Sequence, residues 1–226
     1  SVVCQVKNHT YMKVLKFGGS SVAKPERIRS IVDILKSYYA EGEHFTVVFS
    51  AFGGVTDMLI KMSEMAAKGQ EGYQELFDEF SERHNLVVQE LLAEEYQNEV
   101  LPQLNRNHEV LRNLLHGIFL VREASPRTMD YVLSFGERNS AFIISYVLRQ
   151  AGIKAAYLDA RKIIKTDKQF NSAKVDFKLT YEKIPTIIGT ESIFGEGEGN
   201  HGYRVYILRN RFDNAIDTTI ETSVNQ

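Results

Sequence analysis

The sequence of 226 residues is poor in cysteine, in net charge and in long apolar runs. Its one cysteine, Cys4, cannot support an internal disulfide framework and fits a reducing compartment, so we expect a cytoplasmic protein. The formal net charge of -2 gives no electrostatic reason to expect nucleic acid or an anionic membrane as a partner, so any anion must bind at a local site. No apolar run approaches the roughly 18 residues that span a bilayer, and the first residues lack the basic-then-apolar order of a secretion signal.

The sequence does contain two units in the order strand, glycine turn, helix, over residues 14–35 and 44–67. Each begins with a short apolar run typical of a buried strand, continues with two adjacent glycines and ends with apolar residues at helical spacing. Two such units in succession predict an α/β fold with a mainly parallel sheet and right-handed crossovers.

A long segment without strand character comes next, from Tyr73 to Arg122. It is rich in Leu, Glu, Gln and Arg, and its apolar residues recur at intervals of three and four, which predicts a helical insertion. We interpret residues 12–190 as one domain that contains this insertion. Residues 1–11 are expected to be an N-terminal extension outside the fold, and residues 191–226 a divergent C-terminal tail.

Helix signals resume at Ser125, which precedes a proline and is predicted to cap a helix start. Gly136 is expected to interrupt this helical run, and the second part is expected to stop at Gly152. Short strands are predicted at 154–158 and 163–164.

The first candidate site comes after the opening strand, where Lys16 precedes Gly18, Gly19 and Ser20. Glycines let backbone N–H groups approach a phosphate closely, the following helix start adds the positive end of its dipole, and a lysine adds a point charge. The pattern therefore favours a phosphate site. The alternative is a tight strand-to-helix turn beside a solvated lysine.

The second candidate site runs from Ser50 through Gly53 and Gly54 to Thr56 and Asp57. It comes after the second strand and opens the second helix, so it is a second helix start able to attract an anion at the same sheet edge. The alternative is helix capping by Thr56 or Asp57 with no ligand.

The third candidate site is the segment from Ser134 to Arg138, which holds Glu137 beside Arg138. An amino-acid substrate carries both signs of charge, and such a pair can face both. The alternative is an exposed Glu–Arg pair on a helix, which contributes little to stability.

These segments occur in the order VLKFGGSSV at 14–22, FSAFGGVTD at 49–57, SFGER at 134–138 and DARKIIKTD at 159–167. Together they resemble the aspartate kinase branch of the amino acid kinase family. The helical insertion is further similar to the kinase part of bifunctional aspartokinase/homoserine dehydrogenases. The resemblance implies a three-layer α/β/α sandwich that transfers the γ-phosphoryl group of ATP to the β-carboxylate of L-aspartate, with Mg²⁺ accompanying the ATP. It also implies a homodimer, and we expect no tightly bound cofactor and no protein-bound metal.

The resemblance also implies roles for individual residues. The residues expected at the transferred phosphate are Lys16, Gly18, Gly19 and Ser20, with Lys16 as the catalytic cation. The residues expected at the substrate are Ser50, Thr56, Ser134, Glu137 and Arg138, with Glu137 at the ammonium group. The segment 159–167 is expected to be mainly structural, and we interpret His84, His108 and His116 as packing or helix-surface residues.

The resemblance ends near Gly189, because no GRGGSD-like segment is visible between that residue and the C-terminus. We expect the rest of a kinase fold to lie beyond this point. Residues 197–202 fit G-x-G-x-x-G, but no good amphipathic helix comes after them, so a dinucleotide site is not favoured. Two alternatives stay open: a catalytically inactive fragment or pseudokinase that still binds aspartate or another subunit, and an amino acid kinase with a different acceptor.

Overall fold

The computed structural model describes residues 3–6, 10–167, 169–170, 173–188 and 205–209. The strands are β1 (Val3–Val6), β2 (Thr10–Phe17), β3 (His44–Phe49), β4 (Ala155–Leu158) and β5 (Val205–Arg209). The helices are α1 (Pro25–Ala40), α2 (Val55–Ala67), α3 (Tyr73–Leu91), α4 (Glu94–Val121), α5 (Pro126–Gln150) and α6 (Phe177–Ile188), with a 3₁₀ turn at Ala160–Lys162. Within these ranges no helix combines the length and the apolar character that a membrane span requires.

The five strands form one sheet in the order β1-β2-β3-β5-β4. All neighbouring pairs are parallel except β1 with β2, which confirms the predicted mainly parallel sheet. Phe17 pairs with Phe49 at the carboxyl ends of β2 and β3. Both glycine turns therefore start from adjacent positions at one edge of the sheet.

Two strands lie in segments that the sequence does not predict to join the fold. Val3–Val6 pairs antiparallel with β2, so the expectation that the N-terminal extension lies outside the fold does not hold for these residues; the edge of β2 supplies the backbone partners they need. Val205–Arg209 lies between β3 and β4 and is parallel to both, although the sequence places it in the tail. The other residues of that tail, including 197–202, lie outside the described residues.

Helices α1 to α5 lie within the predicted helical segments, and α3 and α4 form the helical insertion. The buried face of α1 consists of Ile28, Ile31, Val32 and Leu35, at the spacing of three and four that an amphipathic helix requires. Large apolar side chains of the sheet and the helices form one continuous core, in which Phe45 and Phe49 are fully buried.

Gly136 does not interrupt a helix, because α5 runs without a break from Pro126 to Gln150. A methyl group added at Gly136 would lie 2.8 Å from Cβ of Ala51, closer than two carbon atoms can approach. The glycine is therefore required for close packing of α5 against the loop after β3. The predicted start of this helix is confirmed, since the Ser125 side chain accepts a hydrogen bond from Thr128 N at 3.2 Å.

The predicted strand at 163–164 is also wrong. Both residues come after the 3₁₀ turn, and Ile163 N and Ile164 N donate to the carbonyl oxygen of Ala160 at 3.0 Å and 2.7 Å. Ile163 is buried at 2% exposure. Its apolar character thus serves core packing without strand pairing, a distinction that a run of two residues cannot express.

Candidate active site

A cavity of about 360 Å³ lies where the two glycine turns meet α5. Its lining residues are Gly19, Ser50, Ala51, Phe52, Gly53, Gly54, Thr56, Leu133 and Glu137. All three candidate sites of the sequence contribute to this set. The two glycine turns meet because they come directly after the carboxyl ends of the adjacent strands β2 and β3. The volume is within the range of small-molecule sites.

The two glycine turns touch each other at the floor of the cavity. Ser50 N donates to the carbonyl oxygen of Phe17 at 3.1 Å, which continues the pairing of β3 with β2 into the turn. A methyl group at Gly53 would lie 2.8 Å from Cβ of Ala23 and 3.4 Å from the carbonyl oxygen of Gly19. Glycine at 53 is thus required by the close approach of the turns.

Helix α2 begins at the cavity with its first turn uncapped by a side chain. Its N-cap residue is Gly54, in the left-handed conformation with φ of 80°, and no side-chain cap hydrogen bond is present. The alternative of helix capping by Thr56 or Asp57 therefore finds no support. The backbone N–H groups of this first turn give the cavity a local positive potential suited to a carboxylate.

Glu137 enters the cavity from α5, together with Leu133 one turn earlier. Residues four apart share one face of a helix, so this face of α5 closes the site. Ser134 and Arg138 occupy the neighbouring face, and neither lines the cavity. The orientation of α5 about its own axis thus points Leu133 and Glu137 into the cavity and leaves Ser134 and Arg138 outside it.

The structure places the hydroxyl of Ser134 in the helix itself, where it donates to the carbonyl oxygen of Tyr131 at 2.6 Å. The Arg138 guanidinium lies over the ring of Phe135 with 4.6 Å to its centroid. Its Nη1 is buried and has no hydrogen-bond partner within the described part of the chain.

The first glycine turn contributes less of the cavity than the sequence suggests. Gly19 lines it, whereas Lys16, Gly18 and Ser20 do not. Lys16 and Ser20 have exposed side chains, and a methyl group at Gly18 would meet nothing within 4 Å. Ser21 N donates to the carbonyl oxygen of Gly18 at 2.9 Å, so the turn is closed by its own backbone.

Two residues that sequence reasoning missed hold the second turn. Ser140 Oγ lies 2.8 Å from the carbonyl oxygen of Ser50 and 3.1 Å from that of Glu137. Arg83 of α3 donates from Nη2 to the carbonyl oxygen of Gly53 at 2.5 Å. Neither position carries a local sequence signal, because both contacts join segments that are distant in the chain.

Two buried histidines support the site from behind. The ring of His84 packs at a tilt beside Phe52 with 5.5 Å between ring centroids, and the ring centroid of His108 lies 5.6 Å from that of His84. Burial lowers the pKa of His84 from 6.5 to about 4, and the nearby Arg83 adds to the shift. Burial, with His84 and Arg112 as further causes, lowers the pKa of His108 to about 3. Both are packing residues, as predicted, and both are neutral near pH 7.

The sequence profile of the amino acid kinase family matches residues 12–214, and the chain belongs to that family. Among curated relatives, it is 34% identical over 182 residues to "Aspartokinase 2, chloroplastic" of Arabidopsis thaliana, covering 78% of this chain and 32% of the relative. It is 29% identical over 160 residues to "Bifunctional aspartokinase/homoserine dehydrogenase 2, chloroplastic" of the same plant, covering 71% of this chain and 17% of the relative. The chain thus spans about a third or less of the length of these relatives.

The fold resembles that of E. coli aspartokinase III. The structure of that enzyme with aspartate and ADP matches with a TM-score of 0.73 and 25% identity, over 88% of this chain and 40% of that one. Its complex with lysine and aspartate matches with a TM-score of 0.73 and 26% identity, over the same shares. The α/β/α fold expected from the resemblance is confirmed, and so is the resemblance to aspartokinases.

Proposed function

We propose that this chain belongs to an aspartate kinase, which phosphorylates the β-carboxylate of L-aspartate to 4-phospho-L-aspartate at the expense of ATP, the first step of lysine, threonine and methionine biosynthesis. The observation that carries the proposal is the cavity that joins Gly19, Ser50, Thr56 and Glu137. Three different sequence motifs supply these residues, and each residue is expected at the phosphate or at the substrate. Aspartokinase III of E. coli, whose fold the chain shares, binds aspartate and ADP.

The charges of the cavity match an amino acid with a second carboxylate. Glu137 supplies a carboxylate for the ammonium group, and the N–H groups at the start of α2 attract a carboxylate. The hydroxyls of Ser50 and Thr56 supply further hydrogen bonds. Aspartate held this way directs its free carboxylate toward the first glycine turn.

In this proposal the first glycine turn binds the nucleotide. Lys16, Gly18, Gly19 and Ser20 would surround the γ-phosphate, and Lys16 would offset the charge that develops on its oxygens. A β-carboxylate oxygen of aspartate forms a bond to the γ-phosphorus while the bond to the bridging oxygen of ADP breaks. No covalent bond to the protein is needed.

Magnesium fits this site as a companion of ATP. Glu137 is the one carboxylate among the described residues that line the cavity, which is fewer oxygen ligands than Mg²⁺ requires. We therefore place Mg²⁺ on the phosphates of ATP, where it would offset their charge.

The test is the formation of 4-phospho-L-aspartate from aspartate and Mg-ATP, trapped as the hydroxamate. Glu137→Gln should raise the KM for aspartate about 10-fold to 100-fold, because a charged hydrogen bond to the ammonium group is lost. Glu99→Gln, at an exposed position of α4, is the control. An unchanged KM in the Glu137 variant would remove the substrate role.

One observation favours the second candidate function, an inactive chain that still binds aspartate or another subunit. The sequence after Gly189 contains no GRGGSD-like segment, which the family resemblance leads us to expect at the nucleotide. Calorimetry that detects aspartate binding without any phosphoryl transfer would favour this candidate.

We further propose a homodimer in the cytoplasm. The single cysteine fits a reducing compartment, while the plant relatives are named as chloroplastic, so a plastid is the alternative compartment. Light scattering on the purified chain would test the dimer.

A further inference from the structure

We propose that Arg83 is a positioning residue that holds the Gly53–Gly54 turn in its substrate-binding form and thereby sets the affinity for the amino-acid substrate. The proposal assigns a functional role to the helical insertion, which lies outside the glycine motifs. The claim about substrate affinity rests on the proposed function, whereas the claim that Arg83 holds the turn does not.

The contact joins α3 to the cavity wall. Arg83 Nη2 donates to the carbonyl oxygen of Gly53, and Nη1 lies 3.5 Å from the position that a Cβ of Gly54 would take. Arg83 is half-buried, and both glycines line the cavity. The guanidinium therefore lies directly behind the turn.

The glycine pair itself has few hydrogen bonds to order it. Two adjacent glycines have more backbone freedom than any other pair of residues, so their ordering costs more conformational entropy. The α2 start carries no side-chain cap. The local backbone bonds are those from Val55 N to Phe52 O at 2.9 Å and from Met58 N to Gly54 O at 3.1 Å. The hydrogen bond from the charged Arg83 side chain to the carbonyl oxygen of Gly53, which lies between these two bonds in the chain, restricts the turn.

Arg83 acts through the turn and not on the substrate, because it is not among the residues that line the cavity. Its neighbour His84 packs on Phe52 at 5.5 Å between ring centroids. Two successive residues of α3 thus hold two successive residues of the loop. A shift of α3 would move the cavity wall that Phe52 and Gly53 form.

The first experiment measures the turn without any ligand. Amide hydrogen exchange at Val55 and Met58 should be about tenfold faster in Arg83→Met than in the wild type, since a charged hydrogen bond is lost. Arg83→Lys keeps a charged donor and should exchange at an intermediate rate. Arg29→Met is the matched control, because Arg29 also donates from a helix to a distant carbonyl, that of Glu90, at 3.2 Å. Exchange in Arg83→Met that equals the wild-type rate would overturn the proposal.

The second experiment measures affinity on the same variants by calorimetry with L-aspartate and with Mg-ATP. The Kd for aspartate should rise about tenfold in Arg83→Met and less in Arg83→Lys, while the Kd for Mg-ATP should stay within about twofold. A general loss of folded protein would change the active fraction for both ligands, which separates the two effects. An aspartate Kd in Arg83→Met that is equal to the wild-type value would overturn the role in affinity.

The two experiments also separate the two proposals. If the wild type binds no aspartate, the proposed function fails for this chain and the substrate role of Arg83 is overturned with it. The exchange rates at Val55 and Met58 then still decide whether Arg83 holds the turn.

Discussion

The hydroxyl of Ser140 lies 2.8 Å from the carbonyl oxygen of Ser50, within hydrogen-bonding distance. Ser140 is fully buried in the middle of α5, and Ser50 is the first residue of the cavity loop. This single contact joins the helix that carries Glu137 to the loop that carries the second glycine turn, across 90 positions of sequence.

Ser140→Ala is therefore expected to lower the free energy of unfolding by about 1–2 kcal/mol, since a partly buried carbonyl loses a donor. Urea unfolding measures the loss. Ser145→Ala is the matched control, because the buried Ser145 hydroxyl donates to Phe142 within its own helix at 2.6 Å. The aspartate affinity should fall in the Ser140 variant and not in the control, and equal affinities in both would contradict the prediction.

Gly136→Ala is expected to lower the free energy of unfolding by about 1–3 kcal/mol, because the added methyl group would overpack the contact with Ala51. The two carbons would be 2.8 Å apart, so α5 and the cavity loop must separate. Gly117→Ala in α4 is the control, since a methyl group there meets nothing within 4 Å. That variant should be more stable by up to about 1 kcal/mol, the difference in helix propensity between the two residues. Thermal unfolding of both variants measures these changes. A Gly136→Ala variant as stable as the wild type would contradict the packing account.

Gly18→Ala is expected to fold with a change in stability within about 0.5 kcal/mol, because the site has open space for the methyl group. If the backbone at Gly18 approaches the γ-phosphate as proposed, this variant should bind Mg-ATP more weakly while aspartate binding is kept. Gly53→Ala provides the contrast, since its methyl group would press on Ala23 and should weaken aspartate binding and folding together. Calorimetry with each ligand distinguishes the two, and unchanged nucleotide binding in Gly18→Ala would remove Gly18 from the phosphate site.

The buried histidines make stability depend on pH. The folded protein holds the pKa of His84 at about 4 and that of His108 at about 3, both below the ordinary 6.5. At a pH between the lowered pKa of the folded state and the ordinary 6.5, the unfolded chain binds more protons than the folded protein. The free energy of unfolding therefore falls as the pH drops from about 6.5 toward 4. The loss for His84 alone is on the order of 3 kcal/mol over that window.

Urea unfolding at pH 7 and at pH 5 measures this dependence. Replacing His84 by Leu should reduce the slope of stability against pH, although it removes the bond from the ring to the Phe80 carbonyl. His116→Gln is the control, because His116 is exposed. A slope that is the same in His84→Leu and in the wild type would show that other groups cause the acid sensitivity.

Local sequence signals predicted the elements that depend on neighbours in the chain. The bounds of α2, Val55–Ala67, coincide with the predicted helix, because a glycine pair and helical spacing are both local features. The same holds for the Ser125 cap. The predictions failed at Gly136, where the glycine is explained by its contact with the distant Ala51, and at Ile163, which is buried without pairing in a strand.

The sequence by itself determined which residue types stand at the strand ends, and hence that two glycine turns and a Glu–Arg pair are available for a site. Only the tertiary structure decided which of them meet. It placed Glu137 and Leu133 in the cavity, whereas Ser134 and Arg138 do not line it, because α5 packs against several helices and strands at once. It also brought Arg83 behind Gly53, since the packing of the helical insertion against α2 and α5 depends on long-range contacts that no single motif contains.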